Sequence, residues 1–191
     1  MEHTKELDQI EIILVEPQES ANIGSVCRAM KTMGITHLTI IGSRIYDEQR
    51  IKTLSVHAFD LYEKHHRFDT LEDAITDSVL VVGASRRRGK KRKYFSLLPE
   101  QLAARIAHTG DGKISIVFGR EADGLRENEL NLCHMGVKIP SIVSSEGSLN
   151  LAQAVQVITY TLYRNLQEIK GFEQIKNDRI HQVSTTMSSS L

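Results

Sequence analysis

Seven of the eight residues from Arg86 to Lys93 are basic, and the run directly follows an apolar segment that ends at Gly83-Ala84-Ser85. A loop of that charge density after a strand can hold several phosphates, each neutralised contact adding affinity that salt erodes. A solvated loop or a localisation signal carries the same pattern. The position at a strand's carboxyl end favours RNA, with Arg86, Arg87, Arg88, Lys90, Lys91 and Arg92 as the contacting residues. Tyr94 and Phe95 can stack on a base or anchor the loop in apolar packing.

Three other segments combine glycine with reactive or polar side chains. Asn22-Ile23-Gly24-Ser25-Val26-Cys27-Arg28 opens a helix in which Ile23, Val26, Met30 and Met33 form a core-facing stripe. At about 100° per residue Arg28 falls opposite that stripe, free to meet a ligand or simply to be solvated. Phe118-Gly119-Arg120-Glu121-Ala122-Asp123-Gly124-Leu125 has two glycines but no Lys-Ser/Thr pair after the second, which rejects a Walker A site. Ile139-Pro140 leads through a serine- and glycine-rich loop to Gly147-Ser148-Leu149-Asn150-Leu151, where Ser148 is a plausible helix cap and free amides converge. The eight histidines are scattered, and His65-His66 lacks the spacing that puts two metal ligands on one helix face, so no metal is expected. Neither Cys27 nor Cys133 belongs to a CxxC pair or a nucleophile motif, and both read as small core residues in a reducing compartment.

The elements that position these segments follow from hydrophobic periodicity. Ile10–Val15, His37–Ile41, Val79–Gly83 and Ile114–Phe118 are short apolar runs of the kind found in strands buried on both faces, and 137–139 reads as a last short strand before Pro140. Ser20 or Asn22 can cap the first helix, which Gly34 stops. A Thr-x-x-Asp box marks a short helix over 70–76, and 100–107 reads as another after Pro99. From Leu149, apolar residues at Leu151, Val155, Ile158, Leu162, Leu166 and Ile169 predict a long amphipathic helix that ends near Gly171. Strands alternating with helices imply an α/β fold, a mostly parallel sheet with helices on both faces. Ligands of such sheets gather at the carboxyl ends of the strands, where all four chemical segments lie.

With 191 residues, 40% hydrophobic and 25% charged, the chain suits one globular domain, and disordered or fibrous classes are excluded. Lys plus Arg equals Asp plus Glu at 24 each, so net charge says nothing about a nucleic-acid partner and only the local run does. No apolar stretch approaches the roughly 20 residues that span a bilayer. A cytoplasmic protein without membrane contact is expected.

Taken together, Asn22-x-Gly24-x-x-x-Arg28, Phe118-Gly119-Arg120-Glu121-x-x-Gly124-Leu125 and Ile139-Pro140 with Ser148-Leu149-Asn150-Leu151-Ala152 resemble the three ordered motifs of the SpoU (SPOUT) RNA 2′-O-methyltransferases. The stretch from Val15-Glu16 through Arg28-Ala29-Met30-Lys31-Thr32-Met33-Gly34 is most similar to the TrmJ branch, which methylates cytidine or uridine in the tRNA anticodon loop. The resemblance implies a C-terminal trefoil knot, a homodimer and S-adenosylmethionine as cofactor. It implies cofactor contacts at Ala84, Ser85, Arg86, Gly119, Ile139, Gly147, Ser148 and Leu149, and a reacting end formed by Asn22, Arg28, Glu121, Ser148 and Asn150. Residues 1–172 would form the methyltransferase domain and 173–191 a flexible tail. TrmJ-type proteins continue into a C-terminal extension that helps bind tRNA, whereas this sequence stops about twenty residues after its long helix. Ribosomal RNA, a different tRNA nucleotide, or a non-catalytic RNA-binding role on the same fold are the alternatives.

Overall fold

A computed structural model of the chain describes residues 5–85, 96–142 and 149–167. Seven strands form one sheet: β1 (Ile10–Val15), β2 (His37–Ile41), β3 (His66–Phe68), β4 (Ser78–Ala84), β5 (Ser96–Leu97), β6 (Lys113–Phe118) and β7 (Met135–Val137). Their order is β3-β2-β1-β6-β4-β7-β5, and every neighbouring pair is parallel. The helices are α1 (Lys5–Asp8), α2 (Ser20–Thr32), α3 (Glu48–Ser55), α4 (Phe59–Glu63), α5 (Leu71–Ala74), α6 (Pro99–Ala107), α7 (Glu127–Asn131) and α8 (Leu151–Leu166).

All six residues of β1 are buried, because the strand has an apolar layer on each side. Ile10, Ile12 and Leu14 face a core shared with Ile23 and Met30 of α2, Leu102 of α6 and Val155 of α8. Ile13 and Val15 face a smaller layer with Leu71 and Ala74 of α5 and Cys133 after α7. Helices therefore cover both faces of a parallel sheet, as the apolar runs predicted. Glu11 is the polar exception in β1, and it is satisfied laterally: Thr39 Oγ1 (2.7 Å) and Ser115 Oγ (3.0 Å) donate to its carboxylate from the two flanking strands.

Several expectations are corrected. Helix α2 is capped by neither Ser20 nor Asn22; its N-cap is Glu19, whose side chain makes no cap bond. Ser20 instead accepts from the Asp47 amide (3.0 Å), which joins α2 to the start of α3. The last strand is Met135–Val137 rather than 137–139, because Val137 is already opposite Ala84, the final residue of its partner β4. Lys138 keeps one bond to Leu97, and Ile139 is released from the ladder. The long helix ends at Leu166, with Gln167 extended (φ −87°, ψ 133°), since the last fully buried side chain of its stripe is Leu162. Ile169, Gly171 and the predicted tail lie outside the described residues. Its cap is Asn150, whose Oδ1 accepts from Ala152 N (2.8 Å), not Ser148. No helix among the described residues is long and apolar enough to cross a membrane.

From β1 the chain builds outward to β2 and β3, then crosses to β4 and β6 on the other side of β1. That reversal opens a crevice at the carboxyl ends of β1 and β6, where sheets of this class bind ligands.

Candidate active site

The loops leaving β1 and β6 are bound to each other at this crevice. Glu16, the first residue past β1, has φ +43°, an uncommon conformation for a side chain-bearing residue and one held here by surrounding contacts. Its amide donates to Ile41 (3.0 Å) and its carboxylate accepts from Arg120 Nε (2.8 Å). Arg120 is 6% exposed and makes a two-point contact with the buried Glu129 (NH1 to Oε2 3.1 Å, NH2 to Oε1 2.9 Å). Paired bonds of this geometry offset the cost of burying the charges. The guanidinium is stabilised in its charged form first by Glu129, and its hydrogen bond holds the Glu16 carboxyl below the ordinary glutamate range.

The β6 loop folds back on itself through Arg120 N to Gly124 O (3.2 Å) and Gly124 N to Arg120 O (2.8 Å). Gly119 is required at its root: a Cβ there would lie 2.1 Å from the Gly124 carbonyl carbon and 2.2 Å from the Leu125 nitrogen. The loop's tip then reaches the β1 loop, with Ala122 N donating to Gln18 Oε1 (3.0 Å).

Glu121 ties the β6 loop to the start of α2. Its carboxylate accepts from the amides of Gln18 (2.7 Å) and Glu19 (3.2 Å) and from Asn22 Nδ2 (2.8 Å). The start of α2 thus receives its acceptor from a residue about a hundred positions away, which explains why no local side chain caps it. Asn22 Oδ1 in turn accepts from Asn150 Nδ2 (2.9 Å), and Asn150 caps α8. Glu121, Asn22 and Asn150 form one hydrogen-bonded chain across the three sequence motifs.

Beside that chain lies a cleft of about 190 Å³. Phe118, Val137, Leu151 and Ile158 supply apolar lining; Ser85, Glu121, Asp123 and Ser141 supply polar lining. Five of the predicted cofactor residues, Ala84, Ser85, Gly119, Ile139 and Leu149, meet here. Arg86, Gly147 and Ser148 lie outside the described residues, as do Arg87, Arg88, Lys90, Lys91 and Arg92 of the basic run.

Arg28 is exposed, as its place opposite the α2 stripe predicted, but it does not line the cleft. It follows Asn22 by six residues, about 9 Å along the helix and about 120° around it. Its guanidinium has no partner among the described residues. Sequence reasoning missed Glu16, Gln18, Arg120 and Glu129 as the residues that bind the two loops together. A legible signal was there: an arginine two residues past the apolar run 114–118 needs a carboxylate partner, and Glu16 stands in the equivalent place after β1.

Comparison with known proteins gives these features a family. Residues 9–160 match the model of the SpoU rRNA Methylase family. The chain is 40% identical over 156 residues to a Haemophilus influenzae protein described as an uncharacterized tRNA/rRNA methyltransferase, covering 82% of this chain and 63% of that protein. It is 39% identical over 155 residues to the tRNA (cytidine/uridine-2′-O-)-methyltransferase TrmJ of Yersinia pestis, covering 81% of this chain and 60% of the relative. The chain thus spans about three fifths of the length of these curated relatives. A solved structure of a probable methylase family protein from Haemophilus influenzae superposes with a TM-score of 0.78 at 33% identity, over 95% of this chain and 78% of that one. With the three motifs hydrogen-bonded to one another beside one cleft, these matches establish that the chain belongs to the SpoU RNA methylase family.

Proposed function

We propose that this chain is an S-adenosylmethionine-dependent RNA 2′-O-ribose methyltransferase acting on tRNA, at a cytidine or uridine of the anticodon loop. The observation that carries the reading is the chain Glu121, Asn22, Asn150, which ties the first motif to the two motifs that line a single cleft. The activity named for the TrmJ relative supports the substrate. The cleft's chemistry suits the cofactor: an apolar lining for a flat heterocycle, with loop main chain and polar side chains beside it to read its edge. Ala84, Ser85, Gly119, Ile139 and Leu149, with Arg86, Gly147 and Ser148, would hold it. When bound, the sulfonium group supplies an electrophilic methyl.

What the protein must add is alignment of a weak nucleophile, the ribose hydroxyl, and management of the charge it develops. Asn22 and Asn150 each have both amide atoms engaged, so they hold the loops in register rather than approach the sugar. Glu121, with three donors on its carboxylate, is a tie of the same kind. Arg28 is assigned to the RNA phosphate and the developing alkoxide, since a guanidinium offers five N–H donors and no acceptor, which suits it to anionic oxygens and not to taking up a proton. In the homodimer proposed for this chain, an arginine outside its own cleft is available to the neighbouring copy. The proposal includes the C-terminal trefoil knot, the assignment of residues 1–172 to the catalytic domain with a tail over 173–191, and a place in the cytoplasm with the tRNA.

Incubation with methyl-labelled S-adenosylmethionine and separate pools of tRNA and ribosomal RNA, followed by mapping of the methylated nucleotide, tests the reading. Label is expected on a 2′-oxygen of a tRNA pyrimidine and should drop steeply in Arg28→Ala with cofactor affinity retained. Label confined to ribosomal RNA would move the substrate, and cofactor binding without transfer to either pool would refute the enzyme.

A further inference from the structure

The loop between β2 and α3, residues 42–47, takes no part in the cleft, yet it is held in place from several sides. The Tyr46 hydroxyl donates to Pro17 O (3.0 Å), and the Asp47 amide donates to Ser20 Oγ (3.0 Å). Arg67 NH1 donates to the carbonyls of Arg44 (2.9 Å) and Gly42 (3.3 Å), and its guanidinium lies 5.6 Å from the centre of the Tyr46 ring. On this pinned backbone Ile45 is 93% exposed, the most exposed of the large apolar residues among those described. A rigid loop that presents an isoleucine to solvent gains nothing for the fold, and it loses little entropy when something packs on it.

Ile45 sits on the wall of an open groove of about 370 Å³, between Arg44 and Arg50, with Gln18, Glu19 and Asp47 also lining it. Both arginines are exposed and have no hydrogen bond or ion pair from their side chains among the described residues. Glu19 and Asp47 also line the groove, but neither makes an ion pair with these arginines among the described residues, and the Asp47 carboxylate accepts from Arg50 N (3.0 Å) as the cap of α3. The groove and the cleft share no lining residue but are tied together through Glu121, which lines the cleft. Gln18 and Glu19, which line the groove, are the residues whose amides are held by Glu121.

We propose that this groove binds the single-stranded RNA segment next to the nucleotide being methylated, Arg44 and Arg50 taking its phosphates and Ile45 packing against a base. The inference rests on the RNA methyltransferase reading and adds to it the surface that orients the substrate strand. Phosphate contacts fix register and orientation, and an apolar side chain beside them accepts the face of an unstacked base without regard to its identity.

The test uses the full chain, S-adenosylmethionine and a fluorescent unmodified RNA stem-loop whose loop carries pyrimidines. Arg44→Ala/Arg50→Ala is expected to weaken RNA binding on the order of tenfold and to lower the slope of log affinity against log salt by about 1.4, two phosphate contacts on a single strand. Cofactor affinity by calorimetry should not change. Ile45→Ser should weaken RNA binding with the salt slope intact, and the double lysine variant should restore most of the slope. RNA affinity and slope unchanged in the double alanine variant would overturn the groove and leave the enzyme reading standing. Wild-type protein that binds cofactor but not RNA would overturn that reading and the groove with it. A shift in sedimentation of the double variant, with no loss of RNA affinity per chain, would reassign the surface to contact with another protein.

Discussion

Replacing Glu121 with alanine removes one acceptor from three donors: the amides of Gln18 and Glu19 and the side-chain amide of Asn22. The Glu19 bond is exposed and water can replace it, whereas those of Gln18 and Asn22 are part-buried. Two part-buried bonds to a charged acceptor, at about 1–1.5 kcal/mol each after screening, give a loss of about 2–3 kcal/mol. For a chain of this size that lowers the melting temperature by roughly 5–10 °C. Glu121→Gln keeps one acceptor oxygen and should lose about half as much. Circular dichroism melts of the three proteins, with cofactor affinity measured on each, decide the matter: stability and cofactor binding should fall together, because the carboxylate positions the cleft's β6 loop. An alanine variant that melts within about 1 °C of wild type would refute the tie. Lost methyl transfer with stability and cofactor affinity unchanged would instead give Glu121 a direct part in the chemistry.

Gly119→Ala places a methyl group about two ångströms from main-chain atoms of Gly124 and Leu125, which no side-chain rotation relieves. A stability loss of about 3 kcal/mol or more in urea unfolding, with cofactor binding abolished, is expected, and an unchanged midpoint would show that the loop is not closed as described. Glu16 gives a pH signature. Arg120 holds its carboxyl below the ordinary value, so the pair stabilises the fold fully above about pH 4.3 and progressively less as pH falls through the lowered value. Acid unfolding of wild type and Glu16→Gln should therefore converge at the lowest pH and diverge towards neutrality, by a modest margin because the Glu16 side chain is 49% exposed. Curves parallel throughout would exclude the coupling.

The parts of this protein that were legible in its sequence are those governed by short-range rules. β1, β2, β4 and β6 appear as runs of β-branched and aliphatic residues because each is covered on both faces, so nothing forces a polar alternation. Thr70 caps α5 as its spacing predicts, its Oγ1 accepting from Asp73 N, and the α8 stripe holds through Leu162. The stretch between Gly42 and Thr70 was opaque. β3 is an edge strand of only His66-Arg67-Phe68, too short and too polar to show a period, and α3 and α4 are held by contacts with α2 rather than by propensity.

The sequence alone determined the chemical inventory: which loops carry glycine beside asparagine, arginine and carboxylate, and that these loops leave the carboxyl ends of buried strands. Only the tertiary structure decided what each polar group does. Glu121 turns out to bind the start of α2, Arg120 to bridge Glu16 and Glu129, and Arg28 to stand outside the cleft. The reason is the range of the forces involved. Burial and backbone preference act on neighbours along the chain and leave a periodic trace, whereas a carboxylate meeting an amide a hundred residues away leaves none until the sheet brings them together.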